Sequence, residues 1–280
     1  MRIGMMLSSL VPLQLPSRMQ THLWYMLPNE VKSESLLKHY TQLLSQQEKD
    51  SIFGMQSDAL KKKNALLART LVRTTVARYQ TNNNNDTVVD PRSLKFKKNL
   101  YGKPEVDGEV DTTTSYPKLK FNISHTDSLI ACGVTVNVPV GIDVEDKTRK
   151  MRHDVLSLAK RFYSSREVEF LSSIADMEAR RKEFIKLWTL KEAYVKALGK
   201  GFSASPFNTF SIIRPVAAES YNLCGQAEGW KFRLLELAAS SHYAAICIEG
   251  EDDEEEAMTV IVHRTIPFVE DELISDWKLL

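Results

Sequence analysis

Two stretches decide how this chain is read: Gly141-Ile142-Asp143-Val144-Glu145 and, further on, Trp188-Thr189-Leu190-Lys191-Glu192-Ala193-Tyr194-Val195-Lys196. In the first, Ile142 and Val144 alternate with Asp143 and Glu145, so a strand puts the two carboxylates on one face and the apolar pair on the other. The second lies in a pattern that predicts a helix from about Ala179 to Leu198, stopped by Gly199 and Gly201, with Glu192 one turn before Lys196. Asp143, Glu145 and Glu192 are hard oxygen donors with cations nearby. They suit a divalent metal that leaves positions to water and phosphate oxygens, magnesium ahead of a closed calcium cage. Taken singly, each also reads as a solvated acid: Asp143 and Glu145 as exposed strand positions, Glu192 as the surface partner of Lys196.

Working outward, Thr21 to Leu27, ended by Pro28, predicts a first strand. Residues 45 to 57 predict a short helix, with Ser45 as cap and Glu48 three places on in a capping box. From Lys61 to Tyr79 the apolar residues Leu66, Leu67, Leu71, Val72, Val76 and Tyr79 recur at helical spacing. Lys61 to Lys63, Arg69, Arg73 and Arg78 supply the polar positions, and Asn82 to Asn85 end the helix in a loop. A basic strand-like patch, Lys95 to Lys98, leads into Tyr101-Gly102-Lys103-Pro104 and a polar loop, Glu105 to Pro117. Phe121 to Ser124 and Leu129 to Val136 then predict a hairpin, with His125 to Ser128 between its strands. Beyond Gly141 the pattern predicts helices at Val155 to Phe162 and Ser165 to Ser173. Strands are expected at Phe207 to Ile213, Trp230 to Leu237, His242 to Ile248 and Thr259 to Val262, and the acidic run Glu249 to Glu256 reads as a solvated turn.

The two halves echo each other. Each has a long helix, a Gly-Lys pair, a strand opening on Phe-Asn and an alternating strand. This predicts a mixed α/β (α+β) fold of two similar lobes related by a pseudo-twofold, with the site at the join. The expected divisions are a flexible N-terminal segment over 1–20, an N-terminal lobe over 21–140 and a C-terminal lobe with a tail over 141–280.

With 37 basic and 36 acidic residues among 280, the net charge of +1 offers no global field for nucleic acid, and no apolar run is long enough for a membrane helix. The three cysteines, Cys132, Cys224 and Cys247, are scattered and lack metal-ligand spacing, which predicts a reducing, intracellular setting. Met1 to Gln20 contain Arg2 and Arg18 and no acid. A mitochondrial targeting remnant is one reading of them, and an ordinary terminus of a cytosolic protein is the other. Walker-type glycine loops, Gly-x-Ser-x-Gly and His-Glu-x-x-His are absent, which disfavours nucleotide hydrolysis, serine hydrolysis and zinc proteolysis. A second, basic group is concentrated in the first half: Lys61 to Lys63, Arg69, Arg73, Lys97, Lys98, Lys103 and His125. Each alone reads as a solvated charge, while beside an acidic metal site they suit a polyanionic ligand.

In that order, Tyr101-Gly102-Lys103-Pro104, Phe121-Asn122-Ile123-Ser124-His125, Gly141 to Glu145 and Phe184 to Lys200 resemble the Sfp-type 4'-phosphopantetheinyl transferases, over about Thr21 to Gly250. The resemblance implies a two-lobed monomer of that fold. It would move the phosphopantetheine arm of coenzyme A onto a serine of an apo acyl or peptidyl carrier protein and release adenosine 3',5'-bisphosphate. It further implies Mg²⁺, with Mn²⁺ as the alternative ion, held by Asp143, Glu145 and Glu192. Catalytic roles fall to Glu192, Lys196 and His125, and coenzyme A contacts to Lys98, Lys103, Asn122, Ser124, His125 and Lys196. One departure stands out: Ser51 occupies a segment where the family often places a basic residue for the nucleotide phosphate, so that either Lys49 or Lys61 to Lys63 substitutes or the affinity for coenzyme A is lower. That departure is also the motive for an alternative reading, a non-catalytic module that binds coenzyme A or a carrier. For an acidic carrier, the helix Lys61 to Arg78 and the segment Arg161-Phe162-Tyr163 are the candidate docking surfaces.

Overall fold

The computed structural model describes residues 8–80, 88–107, 117–201, 206–213, 222–224, 229–250, 258–274 and 278–279. The first half runs β1 (Gln20–Met26), α1 (Glu34–Leu43), α2 (Gln46–Phe53), α3 (Ala59–Tyr79), β2 (Phe96–Lys98), β3 (Pro104–Val106), β4 (Leu119–His125) and β5 (Ile130–Val136). The second continues with β6 (Val140–Asp146), α4 (Val155–Phe162), α5 (Ser165–Ser173), α6 (Met177–Leu198), β7 (Ser211–Ile213), β8 (Asn222–Cys224), β9 (Trp230–Leu237) and β10 (His242–Glu249). It closes with β11 (Thr259–Ile266), β12 (Glu270–Ile274) and β13 (Lys278–Leu279).

Two sheets carry the fold, in the orders β12-β11-β1-β5-β4 and β13-β9-β10-β6. Within them the same unit occurs twice. A first strand and its helices are followed by a hairpin whose second strand returns antiparallel beside the first, as β1-β5-β4 and as β6-β10-β9. The expected echo of the halves is this repeated strand order. The boundary after residue 140 does not divide the sheets, however. Strand β11 pairs parallel with β1, from Gln20 opposite Thr259 to Tyr25 opposite Arg264, and β12 extends that edge. Residues 259–274 therefore complete the first sheet rather than the second lobe.

Alternation along the strands builds three cores. Trp24 and Met26 of β1 and Ile130, Cys132 and Val134 of β5 face α1, α2 and α3. Leu23, Tyr25 and Ala131 turn the other way and meet Val140, Ile142, Val144, Ala244, Ile246 and Ile248, so the two sheets share a middle layer. Tyr243, Ala245 and Cys247 complete the third core against α6. Order-of-magnitude burial free energies of roughly 1.5–3 kcal/mol per large side chain make this layering the main stabilising term.

Several expectations change. The helix α1 was not among the expected elements, although Ser33 caps it and Leu36, Tyr40 and Leu43 form its buried stripe. Arg73 and Arg78, expected as polar surface positions of α3, are 2% and 1% exposed. The helix is buried all round from Thr70 to Tyr79, and each guanidinium is paired instead of hydrated. Arg73 meets Glu48 at 2.7 Å and donates to the Pro91 and Leu94 carbonyls, while Arg78 meets Asp271 at 2.8 Å and lies over the Trp24 ring. The strand expected from Phe207 opens instead as a 3-10 turn, with only Ser211–Ile213 extended. Over residues 8–20 the N-terminal segment is packed: Leu10 is buried in the first core, Leu13 N–H donates to the Arg78 carbonyl and Ser8 N–H to that of Phe268. The polar loop at 82–85 and most of those at 105–117 and 249–256 lie outside the described residues. Among the described residues, no helix is long and apolar enough to cross a membrane.

Candidate active site

The site is set by how closely α6 lies on β6. A Cβ at Gly141 would stand 1.9 Å from the Ala193 carbonyl oxygen and 2.2 Å from the Ala197 nitrogen, so only glycine permits this approach. On the same face of β6, two and four residues on, come Asp143 and Glu145. The helix α6 presents Glu192 and Lys196 from the turns around that contact. Its neighbouring position Lys191 points the other way, fully buried, where its ammonium meets Glu167 at 2.9 Å and the Phe207 and Phe210 carbonyls at 2.7 Å each.

Asp143 is the centre of the arrangement. Its Oδ1 accepts from Lys196 Nζ at 2.6 Å and from Ser124 Oγ at 2.8 Å, and Lys196 Nζ also reaches Ser124 Oγ at 3.0 Å. Its Oδ2 is buried without a hydrogen-bond partner. Burial pushes the Asp143 carboxyl upward against the opposing pull of Lys196. Burial, reinforced by the Asp143 charge, raises Glu145 and Glu192 to about 7 each. Glu145 is paired with Arg149, whose guanidinium lies 5.6 Å from the Trp188 ring centroid.

Among the described residues, no three carboxylate, His or Cys side chains converge into a formed metal cage. Asp143 Oδ1 is taken by Lys196, and Glu145 is turned to Arg149. The donor chemistry nevertheless fits a hard divalent cation. The charge of Asp143 acts on both Glu145 and Glu192, and that of Glu145 on Glu192, a repulsion that a cation relieves, and Asp143 Oδ2 is a buried acceptor with an open lone pair.

The remaining expected residues divide. Asn122 Oδ1 accepts the Ile142 N–H at 2.9 Å, and Ser124 Oγ accepts the Val144 N–H at 3.2 Å. Side chains of one sheet's edge strand thus satisfy the backbone of the other's, so Asn122 is committed to the seam. His125 is exposed at the end of β4, and by strand alternation it falls on the face of Phe121 and Ile123, opposite Ser124. Lys98 is exposed on β2, across from Pro104. Lys103 is engaged elsewhere: its ammonium donates to the carbonyls of Lys196 at 2.7 Å, Val140 at 2.9 Å and Ala197 at 3.3 Å, and burial brings it down to about 8.

A basic group from another helix stands beside Ser51. Arg69 of α3 brings Nη2 to within 3.4 Å of Ser51 Oγ. Lys49, Lys62 and Lys63 line an adjoining apolar cleft of about 140 Å³ with Phe53 and Leu66, which shares no residue with the carboxylate cluster. Arg149, the partner of Glu145, is not among the residues the sequence pointed to. The only signal was a basic residue four positions after Glu145.

Comparison with known proteins places both halves. A model described as the 4'-phosphopantetheinyl transferase superfamily matches residues 139–247, and one described as 4'-phosphopantetheinyl transferase, N-terminal, matches residues 31–136. The 4'-phosphopantetheinyl transferase gsp of Aneurinibacillus migulanus is 38% identical over 120 residues, 43% of this chain and 44% of that protein. The 4'-phosphopantetheinyl transferase ffp of Bacillus subtilis is 30% identical over 181 residues, 60% of this chain and 71% of its own length. The L-aminoadipate-semialdehyde dehydrogenase-phosphopantetheinyl transferase of Mus musculus is 25% identical over 198 residues, 66% of this chain and 60% of that one. The chain spans about half the length of several curated relatives it matches, with 44%, 46% and 49% covered in three of them.

Proposed function

This chain belongs to the 4'-phosphopantetheinyl transferase superfamily, and from that premise we propose that it moves the phosphopantetheine arm of coenzyme A onto a serine of an apo carrier protein, acting as a monomer. The observation that carries the reading is the carboxylate cluster where α6 meets β6, with one buried, unpartnered oxygen of Asp143 beside the Lys196 ammonium. Asp143, Glu145 and Glu192 are proposed to hold Mg²⁺. When bound, such an ion neutralises charge on the coenzyme A pyrophosphate.

The chain's own groups do the rest. Glu192, raised to about 7, is suited to accept the serine hydroxyl proton near neutral pH. The serine oxygen then bonds the phosphorus that carries the pantetheine arm, the bond from that phosphorus to the bridging oxygen breaks, and adenosine 3',5'-bisphosphate leaves. Lys196, fixed between Asp143 and Ser124, supplies positive charge at the edge of the cluster, where phosphoryl transfer needs positioning and neutralisation more than covalent chemistry. His125, Lys98 and Arg69, with Lys49, Lys62 and Lys63, are proposed to meet the phosphates of the nucleotide. Arg69 beside Ser51 supplies the positive charge whose lack motivated the non-catalytic alternative.

The test is conversion of apo carrier proteins to the holo form by the purified chain with coenzyme A and Mg²⁺, read by intact mass. A panel of unrelated carriers that all stay unmodified would refute the reading. A mitochondrial address rests on the acid-free Met1 to Gln20, and imaging tagged chains with and without that segment tests it.

A further inference from the structure

The β2–β3 hairpin belongs to the first half, yet its turn is built onto the end of α6 in the second. The last carbonyls of a helix have no partner within it and must be satisfied from outside. At the end of α6, Gly199 adopts a left-handed backbone (φ 64°), and its N–H returns to the Val195 carbonyl. The carbonyls of Lys196 and Ala197 are taken by Lys103 Nζ, and that of Gly199 by Asn99 Nδ2 at 2.8 Å. The same lysine accounts for a third acceptor, the carbonyl of Val140, the residue with which β6 begins. Asn99 Oδ1 in turn accepts the N–H groups of Tyr101 and Lys103, so the turn holds its own shape while holding the helix. A cation at a helix C-terminus is also favoured by the helix dipole.

We infer that Lys103 and Asn99 form a clamp that fixes the last turn of α6 against the start of β6, making Lys103 a positioning residue for Lys196 and Asp143 and not a ligand of the substrate phosphates. The chemistry is specific. One ammonium can donate three hydrogen bonds, and its three acceptors are all carbonyls of the two elements carrying the site. The residue whose carbonyl it holds, Lys196, is the one whose side chain holds Asp143. Release of the clamp frays α6 from its end at Leu198, and of the site residues the fraying reaches Lys196 first.

The experiment compares Lys103→Met, Lys103→Arg and Asn99→Ala with the wild type by two readouts. Amide hydrogen exchange over residues 193–199 needs no activity. It is expected to rise about tenfold in Lys103→Met and less in Asn99→Ala, with distant strands unchanged. Steady-state transfer, which rests on the transferase reading, is expected to show kcat down about tenfold or more in Lys103→Met with KM for coenzyme A within about twofold. Lys103→Arg, which can still donate to the carbonyls, recovers most of both. A KM for coenzyme A raised about tenfold at unchanged kcat, with unchanged exchange, overturns the clamp and makes Lys103 a phosphate contact. If Lys103→Met does not fold, Asn99→Ala carries the exchange test, and exchange there equal to wild type overturns the clamp. A wild-type chain with no transfer activity would sink the transferase reading and leave the exchange result to judge the clamp.

Discussion

Substituting Gly141→Ala probes the contact on which the site depends. The added methyl would lie 1.9 Å from the Ala193 oxygen and 2.2 Å from the Ala197 nitrogen, against the 3.0 Å below which such contacts are essentially never found. The shortfall is 1.1 Å at the nearer atom, and both obstacles are helix backbone, which cannot rotate away. The helix must therefore lift from β6 by about 1 Å, carrying Glu192 and Lys196 with it. Misplacement on that scale costs roughly 100-fold in rate, and overpacking costs about 1–3 kcal/mol of stability. Thermal unfolding would then fall by about 2–4 °C for each kcal/mol. The assay is the rate of carrier modification by intact mass, with unfolding followed in parallel. Turnover within about twofold of wild type, in a protein that melts at the same temperature, would refute the claim that this approach positions the site.

Other outcomes follow from the same geometry. Lys191→Met leaves Glu167, 2% exposed, without its ammonium and strands two carbonyls, so denaturant titration should show a loss of about 3–5 kcal/mol, partly recovered by adding Glu167→Gln. Glu145 and Glu192 are raised to about 7 in the fold, and so take up protons as the pH falls through that value, well before the unfolded chain does. The sign is therefore the reverse of ordinary acid sensitivity. These two groups lower stability above about pH 7 and cease to do so as the pH falls from there toward their unfolded values, and Mg²⁺ should raise the melting temperature more at about pH 8 than at about pH 6. Equal shifts at both pH values would separate these carboxylates from the ion. Asn122→Ala removes the acceptor of the buried Ile142 N–H and should cost about 1–3 kcal/mol, whereas a raised KM for coenzyme A at full stability would return Asn122 to the ligand contacts.

Legibility in the sequence followed locality. The strand at 141–145, the helix ending at Gly199 and the hairpin after Phe121 could be read because alternation, helical period and a glycine stop are written in adjacent residues. The capping box at Ser45 and Glu48 was read for the same reason and is present. The parallel pairing of β11 with β1 was hidden, because nothing local in Thr259 to Ile266 marks a partner near residue 20. Arg73 and Arg78 misled because helical period reports the polarity of a face, while pairing with Glu48 and Asp271 depends on the tertiary fold. At the site, the carboxylates were legible as a chemical set. The tasks of Asn122 and Lys103 were not, since both residues act on backbone groups that only the meeting of the two halves brings near. Arg69 beside Ser51 is a further case: position 51 itself is uncharged, and the charge next to it comes from a residue 18 positions away.

Whether Asp143, Glu145 and Glu192 form one cation-dependent transfer site is decided by carrier modification with Glu192→Gln beside the wild type, each with Mg²⁺ and with the metal chelated. Wild type with Mg²⁺ is expected to add one phosphopantetheine group per carrier serine, chelation to abolish the addition, and folded Glu192→Gln to be slower by about 100-fold or more. Undiminished transfer by Glu192→Gln, or by wild type after chelation, would contradict such a site.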